Sequence, residues 1–367
     1  MWEQFLAGLQ STGVFIIVLS VLIVVHEWGH FITAKRLGVK IESFALGFGP
    51  KIFSKIHNGT DYRINLIPLG GYVKMAGDVK EEWKGRPEEF FSKPVGHRSL
   101  IVLNGPVVNF VLAYFCLAFV FMMGYPDLST NIGKLIDDYP AMQAGLKEGD
   151  QITHIDGKEV ESWTALQNAI GASDKENIEV KILRYGEALT LNIYPKLDKV
   201  KNIFGQEKVR RLIGIQPAED VIALRYPPGK SFIKAFEKLM EITVLTYKSL
   251  YFMLTGSMSA KENVTGPIGI FYIIKAAAEM GFAHVLFIMG VISASLAIFN
   301  LLPIIPLDGG HLFLLAIEKI RGRALSPKVD EVISKIGFSL IILLALFVFY
   351  SDFDRFGWIE KIKKLFS

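Results

Sequence analysis

Apolar residues fall along this chain in two rhythms. Four stretches, 12–35, 99–123, 282–302 and 332–350, are apolar almost without interruption. A helix crosses a bilayer with about 17–25 such residues, so each stretch is expected to span one. Lys335, near one end of the fourth, has a stem long enough to carry its charge to the interface. A further apolar stretch, 232–254, is broken by Lys234, Glu237, Lys238, Glu241 and Lys248. It reads as an amphipathic helix on the outer surface or against the bundle, with a fifth crossing as the alternative. Between the first two spans, 44–53 and 62–73 alternate, are rich in glycine and are joined by His57-Asn58-Gly59-Thr60, a hairpin signal. Strands beside a membrane need paired backbone groups. The hairpin is therefore expected inside the protein or along a polar cavity, with an edge left free.

The second rhythm runs from 129 to 198, where short apolar segments alternate with polar turns. Strands are expected at 132–136, 152–155, 178–183 and 189–194, a helical turn and glycine corner within 140–152, and an amphipathic helix at 163–170. This describes a small half-open β domain with two helices, either a spacer or a module that binds peptide by strand addition. The chain thus divides into an N-terminal membrane half (1–124), an inserted domain (125–200), a connector with the amphipathic helix (201–281) and a C-terminal membrane half (282–367).

Lys and Arg set the direction. The first ten residues have neither, whereas Lys35, Arg36, Lys40, Lys51, Lys55, Lys93 and Arg98 crowd the first loop, and Lys319, Arg321, Arg323 and Lys328 the third. Those loops are expected in the cytoplasm, and the N-terminus and the stretch 124–281 outside. The C-terminus also falls outside, where Lys361, Lys363 and Lys364 run against the rule. The first span lacks a basic flank before it and carries His26, Glu27 and His30, so it is expected to be retained rather than removed as a signal peptide.

The composition narrows the class. With 367 residues, 51% hydrophobic and 21% charged, the chain can fill about two or three folding units and is not disordered. A mean hydropathy of +0.36 argues against a purely soluble enzyme. A net charge of +4 without a basic patch excludes nucleic acid as a partner. Cys116 is the single cysteine, so neither an intrachain disulfide nor a Cys-ligated zinc site can form, and the thiol is expected buried and inert.

The chemistry begins with His26-Glu27-Trp28-Gly29-His30. Four residues apart on a helix, the two imidazoles share a face and can bind one Zn²⁺, with Glu27 beside them to meet a water. Ionisable groups inside a span are costly unless functional. A catalytic zinc takes a third protein ligand, and Asp308 is the candidate, in Asn300-Leu301-Leu302-Pro303-Ile304-Ile305-Pro306-Leu307-Asp308-Gly309-Gly310-His311. Its other reading is the N-cap of a helix over 309–320. The first and third spans run in the same direction, so both motifs lie at similar depth and can meet. Glu27 would then act as general base. Asn300 either donates to a substrate carbonyl or joins helices. Asn104, Gly105, Pro106 and Asn109 interrupt the second span and let helices approach, with a direct chemical role as the alternative, and His311 reads as a structural neighbour of the site rather than a ligand.

Together these motifs resemble the site-2 protease family of intramembrane metalloproteases, in its bacterial branch. The resemblance rests on His26–His30, the glycine-rich hairpin, Asn104-Gly105-Pro106-Val107-Val108-Asn109, a PDZ signature in 140–152, Gly266-Pro267-Ile268-Gly269 and Asn300…Pro303…Leu307-Asp308-Gly309. It implies an α-helical polytopic membrane protein with four transmembrane helices, a membrane-associated β-hairpin and an inserted extracytoplasmic α+β PDZ domain, in the bacterial inner membrane. It implies a zinc endopeptidase that cuts transmembrane segments, with His26, His30 and Asp308 on Zn²⁺, Glu27 as base and Asn300 holding the substrate strand. Its partners would be the lipid bilayer, single-span membrane proteins such as anti-sigma factors or remnant signal peptides, and peptide C-termini at the PDZ domain. Unlike the best-known enterobacterial pattern, the chain has room for one PDZ domain rather than two. Two other classes compete: an inactive PDZ scaffold, which would not need Glu27, and a zinc transporter, which would need polar residues along several spans.

Overall fold

A computed structural model describes residues 2–201 and 206–357; Lys361, Lys363, Lys364 and connector residues 202–205 lie outside that range. The elements in chain order are α1 (Trp2–Arg36), β1 (Ile41–His57), β2 (Thr60–Met75), α2 (Val95–Met123), β3 (Tyr125–Leu128), β4 (Ile132–Leu135), α3 (Pro140–Gln143), β5 (Gln151–Ile155), β6 (Lys158–Glu159) and α4 (Trp163–Ala172). There follow β7 (Ile178–Arg184), β8 (Glu187–Ile193), β9 (Lys196–Lys201), β10 (Glu207–Leu212), β11 (Ile215–Pro217), β12 (Val221–Leu224), α5 (Pro228–Leu254), α6 (Ala260–Asn263), α7 (Pro267–Met280), α8 (Phe282–Asn300), α9 (Asp308–Arg321) and α10 (Pro327–Arg355). They form two units. The smaller is Phe119–Lys234 with Lys248–Ser259, and the larger holds the remaining described residues.

Four helices of the described chain are long and apolar enough to cross a membrane: Gln10–Arg36, Val95–Met123, Phe282–Asn300 and Lys328–Arg355. The charged α5 is not among them. It turns Ile233, Phe236, Val244 and Tyr251 outward at helical spacing.

In the larger unit, α1 and α2 approach backbone to backbone. A side chain at Gly29 would strike the Asn104 carbonyl and lie 2.9 Å from Gly105 Cα. Asn104 fills the remaining polarity by donating to Gly29 O (3.1 Å) and Thr33 Oγ1 (2.6 Å). Small residues and interhelical hydrogen bonds supply the contact that lipid cannot drive. On the other side of α1, Val18 and Leu22 pack with Ile274 of α7 and with Val285, Ile288 and Ile292 of α8. Only the Gly266–Gly269 motif hinted at α7, because at 14 residues it is too short to read as a span.

The α10 helix is anchored through its C-terminal turn. The fully buried Asp352 carboxylate accepts from the backbone N–H of Gly266 (3.0 Å), Ile268 (3.1 Å) and Gly269 (3.0 Å), capping α7 from another helix. Arg355 donates to the carbonyls of Lys261, Glu262 and Val264 alongside.

The expected hairpin is present but coiled. Phe44, Ala45 and Leu46 of β1 each pair twice, with Tyr62, Arg63 and Ile64 on one side and with Val73, Tyr72 and Gly71 on the other. Gly47 (φ 83°) makes the bend, and a side chain there would strike the Ile67 carbonyl. The opposite edge of 71–75 pairs with no strand among the described residues.

The smaller unit carries a four-stranded antiparallel sheet in the order β6-β5-β7-β8. Its core is Ile132, Ile152, Leu166, Ile178, Val180, Ile182 and Ile193. Helix α4 is capped by Ser162, whose hydroxyl accepts from Ala165 N. The stretch read as connector is not irregular here: β11 pairs with β4, and β12 with β3. Such returns of chain across some 80 residues leave no local signal.

Candidate metal centre

His26 and His30 lie one turn apart on α1, with ring centroids 4.8 Å apart and planes at 86°. Asp308 enters from the first turn of α9. Leu307, not Asp308, occupies the cap position, so the reading of Asp308 as an N-cap does not hold. Its carboxylate instead faces the imidazoles, with Oδ2 3.1 Å from His26 Nε2 and Oδ1 3.5 Å from His30 Nε2. One donor atom from each of the three residues falls within 4.8 Å of the others.

Glycines make this approach possible. The segment after α8 tucks under the start of α9, where side chains at Gly309 and Gly310 would strike the backbone of Leu301–Leu302 and of Ile304–Ile305. Gly105 of α2 lies flat against the imidazoles; a Cβ there would overlap the His30 ring and come within 3.0 Å of His26 Cε1. His30 is further aimed by its Nδ1, which donates to the Ile101 carbonyl (2.9 Å) and leaves the Nε2 lone pair for the site. Nothing in the sequence points to Ile101, because a backbone carbonyl has no residue signature. Asn109, read first as a helix-packing residue, lies 3.4 Å from His26 Nδ1 through its amide.

The donor set, two imidazole nitrogens and a carboxylate oxygen, is that of a catalytic zinc. Asp308 Oδ2 is buried and lacks a hydrogen-bond partner despite its closeness to His26, an acceptor that a cation would satisfy. The residues present fit the metal. Glu27 is half-buried and turned toward β2, where a side chain at Gly71 would come 3.6 Å from its Cγ. Asn300 is the last residue of α8 and half-buried. Cys116 is buried and free.

A cavity of about 570 Å³ opens beside the cluster, lined by His30, Asp308 and His311 and farther out by Arg98, Glu318, Lys80 and Asp330. Arg98 pairs with Glu318 at 2.5 Å and Lys80 with Asp330 at 2.9 Å. Apolar side chains, Phe90, Phe91 and Leu315 among them, also line the cavity.

The profile of Peptidase family M50 matches residues 14–344. The zinc metalloprotease RasP of Oceanobacillus iheyensis is 27% identical, over 93% of this chain and 98% of its own length. The regulator of sigma E protease of Haemophilus influenzae is 29% identical, over 95% and 99%. RseP of Escherichia coli, a regulator of sigma-E protease, is 28% identical, over 95% and 100%. A solved PDZ domain of an SdrC-like protein of Listeria innocua overlaps 25% of this chain and 96% of its own at 22% identity, with a TM-score of 0.20.

Proposed function

The chain belongs to peptidase family M50 and is a zinc metalloendopeptidase of the membrane, and on that premise we propose that it cuts the spanning segments of other membrane proteins within the bilayer. The observation that carries this reading is the meeting of His26 and His30, on a helix apolar enough to span, with Asp308 at the start of α9, eight residues past the end of the apolar helix α8.

His26, His30 and Asp308 would hold the zinc, which when bound would supply Lewis-acid chemistry to a peptide carbonyl and a water. Glu27 takes a proton from the attacking water and delivers it to the leaving amine. Asn300, eight residues before Asp308, donates its amide to the substrate carbonyl as negative charge develops there. A peptide bond inside a helix is screened by its neighbours, so the substrate must be extended before water reaches it. The unpaired edge of 71–75, beside Glu27 at Gly71, offers the backbone partners that an extended strand needs in an apolar medium.

The smaller unit is read as a PDZ domain. A groove of about 860 Å³ runs between α4 and Ile213–Ile215, along the unpaired edge of β11. It suits a peptide C-terminus added as a strand. The N-terminus and this domain lie outside the cytoplasm of a bacterial cell, and the substrates are single-span proteins of the anti-sigma-factor or remnant-signal-peptide kind.

The test is cleavage of a single-span reporter by purified protein in detergent, with zinc measured on the same samples. Glu27→Gln is expected to keep its zinc and lose about 10²–10⁴-fold in rate. Equal cleavage by both proteins would remove Glu27 as the base, and cuts confined to residues outside the span would remove the intramembrane assignment.

A further inference from the structure

Asn109 is fully buried on α2. Its backbone carbonyl accepts from Ser293 Oγ of α8 at 2.8 Å, and its side chain reaches His26 of α1. It therefore sits where three helices meet. Its amide nitrogen is 3.4 Å from His26 Nδ1, and its amide oxygen is buried without a partner. An orphaned buried acceptor beside a ring nitrogen is an anomaly, because such groups are almost always satisfied.

We propose that Asn109 is a positioning residue for the metal centre: its side-chain carbonyl takes the Nδ1 proton of His26 and so presents the Nε2 lone pair of that ring to the metal. This rests on the metal-centre reading above. The nitrogen and oxygen of an amide are nearly the same size, and half a turn of the side-chain amide exchanges them. With the nitrogen toward His26, Nδ1 accepts, Nε2 carries the proton, and Nε2 faces the Asp308 carboxylate 3.1 Å away. With the oxygen toward His26, that oxygen gains a donor while the amide nitrogen takes its former place, Nδ1 carries the proton and Nε2 is free to ligate. One amide rotation thus couples the tautomer of His26 to the state of the site.

His30 needs no such partner, since its Nδ1 already donates to the Ile101 carbonyl. The two ligand rings are aimed by two different acceptors, one from the backbone and one from a side chain. A span provides no bulk water to replace either. Removing a partner that orients a ligating histidine typically costs about 10–100-fold in metal affinity.

The experiment measures zinc affinity by chelator competition on full-length protein in detergent, for wild type, Asn109→Leu, Asn109→Asp, Ser293→Ala and His26→Ala. Asn109→Leu keeps the branched outline of the side chain and removes the acceptor, and should weaken zinc binding by about 10–100-fold. Asn109→Asp presents an oxygen in either rotamer and should stay close to wild type. Ser293→Ala, which leaves the amide in place, should do the same. Nitrogen-15 spectra of labelled histidine in the zinc-loaded wild type should show His26 protonated at Nδ1, a readout that stands even where a variant fails to fold. Wild-type affinity in Asn109→Leu, an equal loss in Asn109→Asp, or His26 ligating through Nδ1 overturns the role. Zinc lost in His26→Ala but kept in Asn109→Leu overturns this inference alone. Wild type that binds no zinc overturns the metal-centre reading with it.

Discussion

In the smaller unit, Ile152, Leu166, Ile178, Ile182 and Ile193 are almost wholly withdrawn from the surface, in a core cluster that is aliphatic apart from Trp163. In the larger unit many of the long apolar side chains, Phe338, Leu340, Leu343 and Leu346 of α10 among them, face outward. Its interior is where Asn109, Ser293 and Asp352 are found. One unit is an aliphatic core in a polar skin, while the other places polar joints inside an apolar skin. The difference follows from the solvent. Water drives apolar surface together, whereas lipid is indifferent to it and leaves close packing and hydrogen bonds to join helices. A membrane enzyme can therefore put histidines and carboxylates at its centre, because those groups also hold it together.

The sharpest way to break this contrast is at a glycine of the larger unit. Gly105→Ala adds a single methyl that overlaps the His30 ring. It is expected to abolish zinc binding and to lower cleavage by at least about 10²-fold, the scale of a misplaced catalytic group; zinc analysis with the reporter assay reads both. A well-occupied, active Gly105→Ala protein would mean that the helix contact is looser than its geometry. The converse change belongs in the smaller unit. Leu166→Ala should destabilise it by about 2–5 kcal/mol while leaving zinc content unchanged, with faster hydrogen exchange confined to β5, β7 and β8.

Smaller effects sharpen the comparison. Asp352→Leu takes one acceptor from three backbone donors at the start of α7. It should cost about 1–3 kcal/mol, seen as easier proteolysis next to α10, and Asp352→Asn should be milder. The smallest effect is a pH dependence in the smaller unit. Burial works to raise the pKa of Asp150, but the Arg184 guanidinium at 2.7 Å and the Lys147 amide outweigh it and hold the carboxyl below the ordinary range. A depressed folded-state pKa stabilises at pH above the unfolded value, near 3.9, and that contribution fades as pH falls through the folded one. Arg184→Gln should therefore lose stability at neutral pH, with a gap to wild type that narrows below about pH 4. A gap independent of pH would assign the effect to packing.

The clustering of His26, His30 and Asp308 was legible because its rules are local or symmetric. Helical periodicity places His26 over His30, and reading the first and third spans in one direction puts Asp308 within reach of them. The rest depends on contacts that no residue type announces. Ile101 acts through its backbone, Gly105 through what it lacks, and β11 and β12 through pairing with strands far back along the chain. The hairpin was readable as a hairpin, but its coiling, with β1 paired on both edges, depends on bends at Gly47 and Gly70 that permit more than one path.

The position of the histidines on α1 also sets a ruler. From Gln10 to His26 the helix rises about 24 Å, and from His30 to Arg36 only about 9 Å, at 1.5 Å per residue. A spanning peptide cut at this depth is divided unequally. One product keeps most of its apolar length and stays dissolved in lipid. The other keeps a stub that an extended chain covers in about three residues at 3.3 Å each. So short a stub has too little apolar surface to hold a polypeptide in a bilayer, so a cut at this depth would also set its owner free.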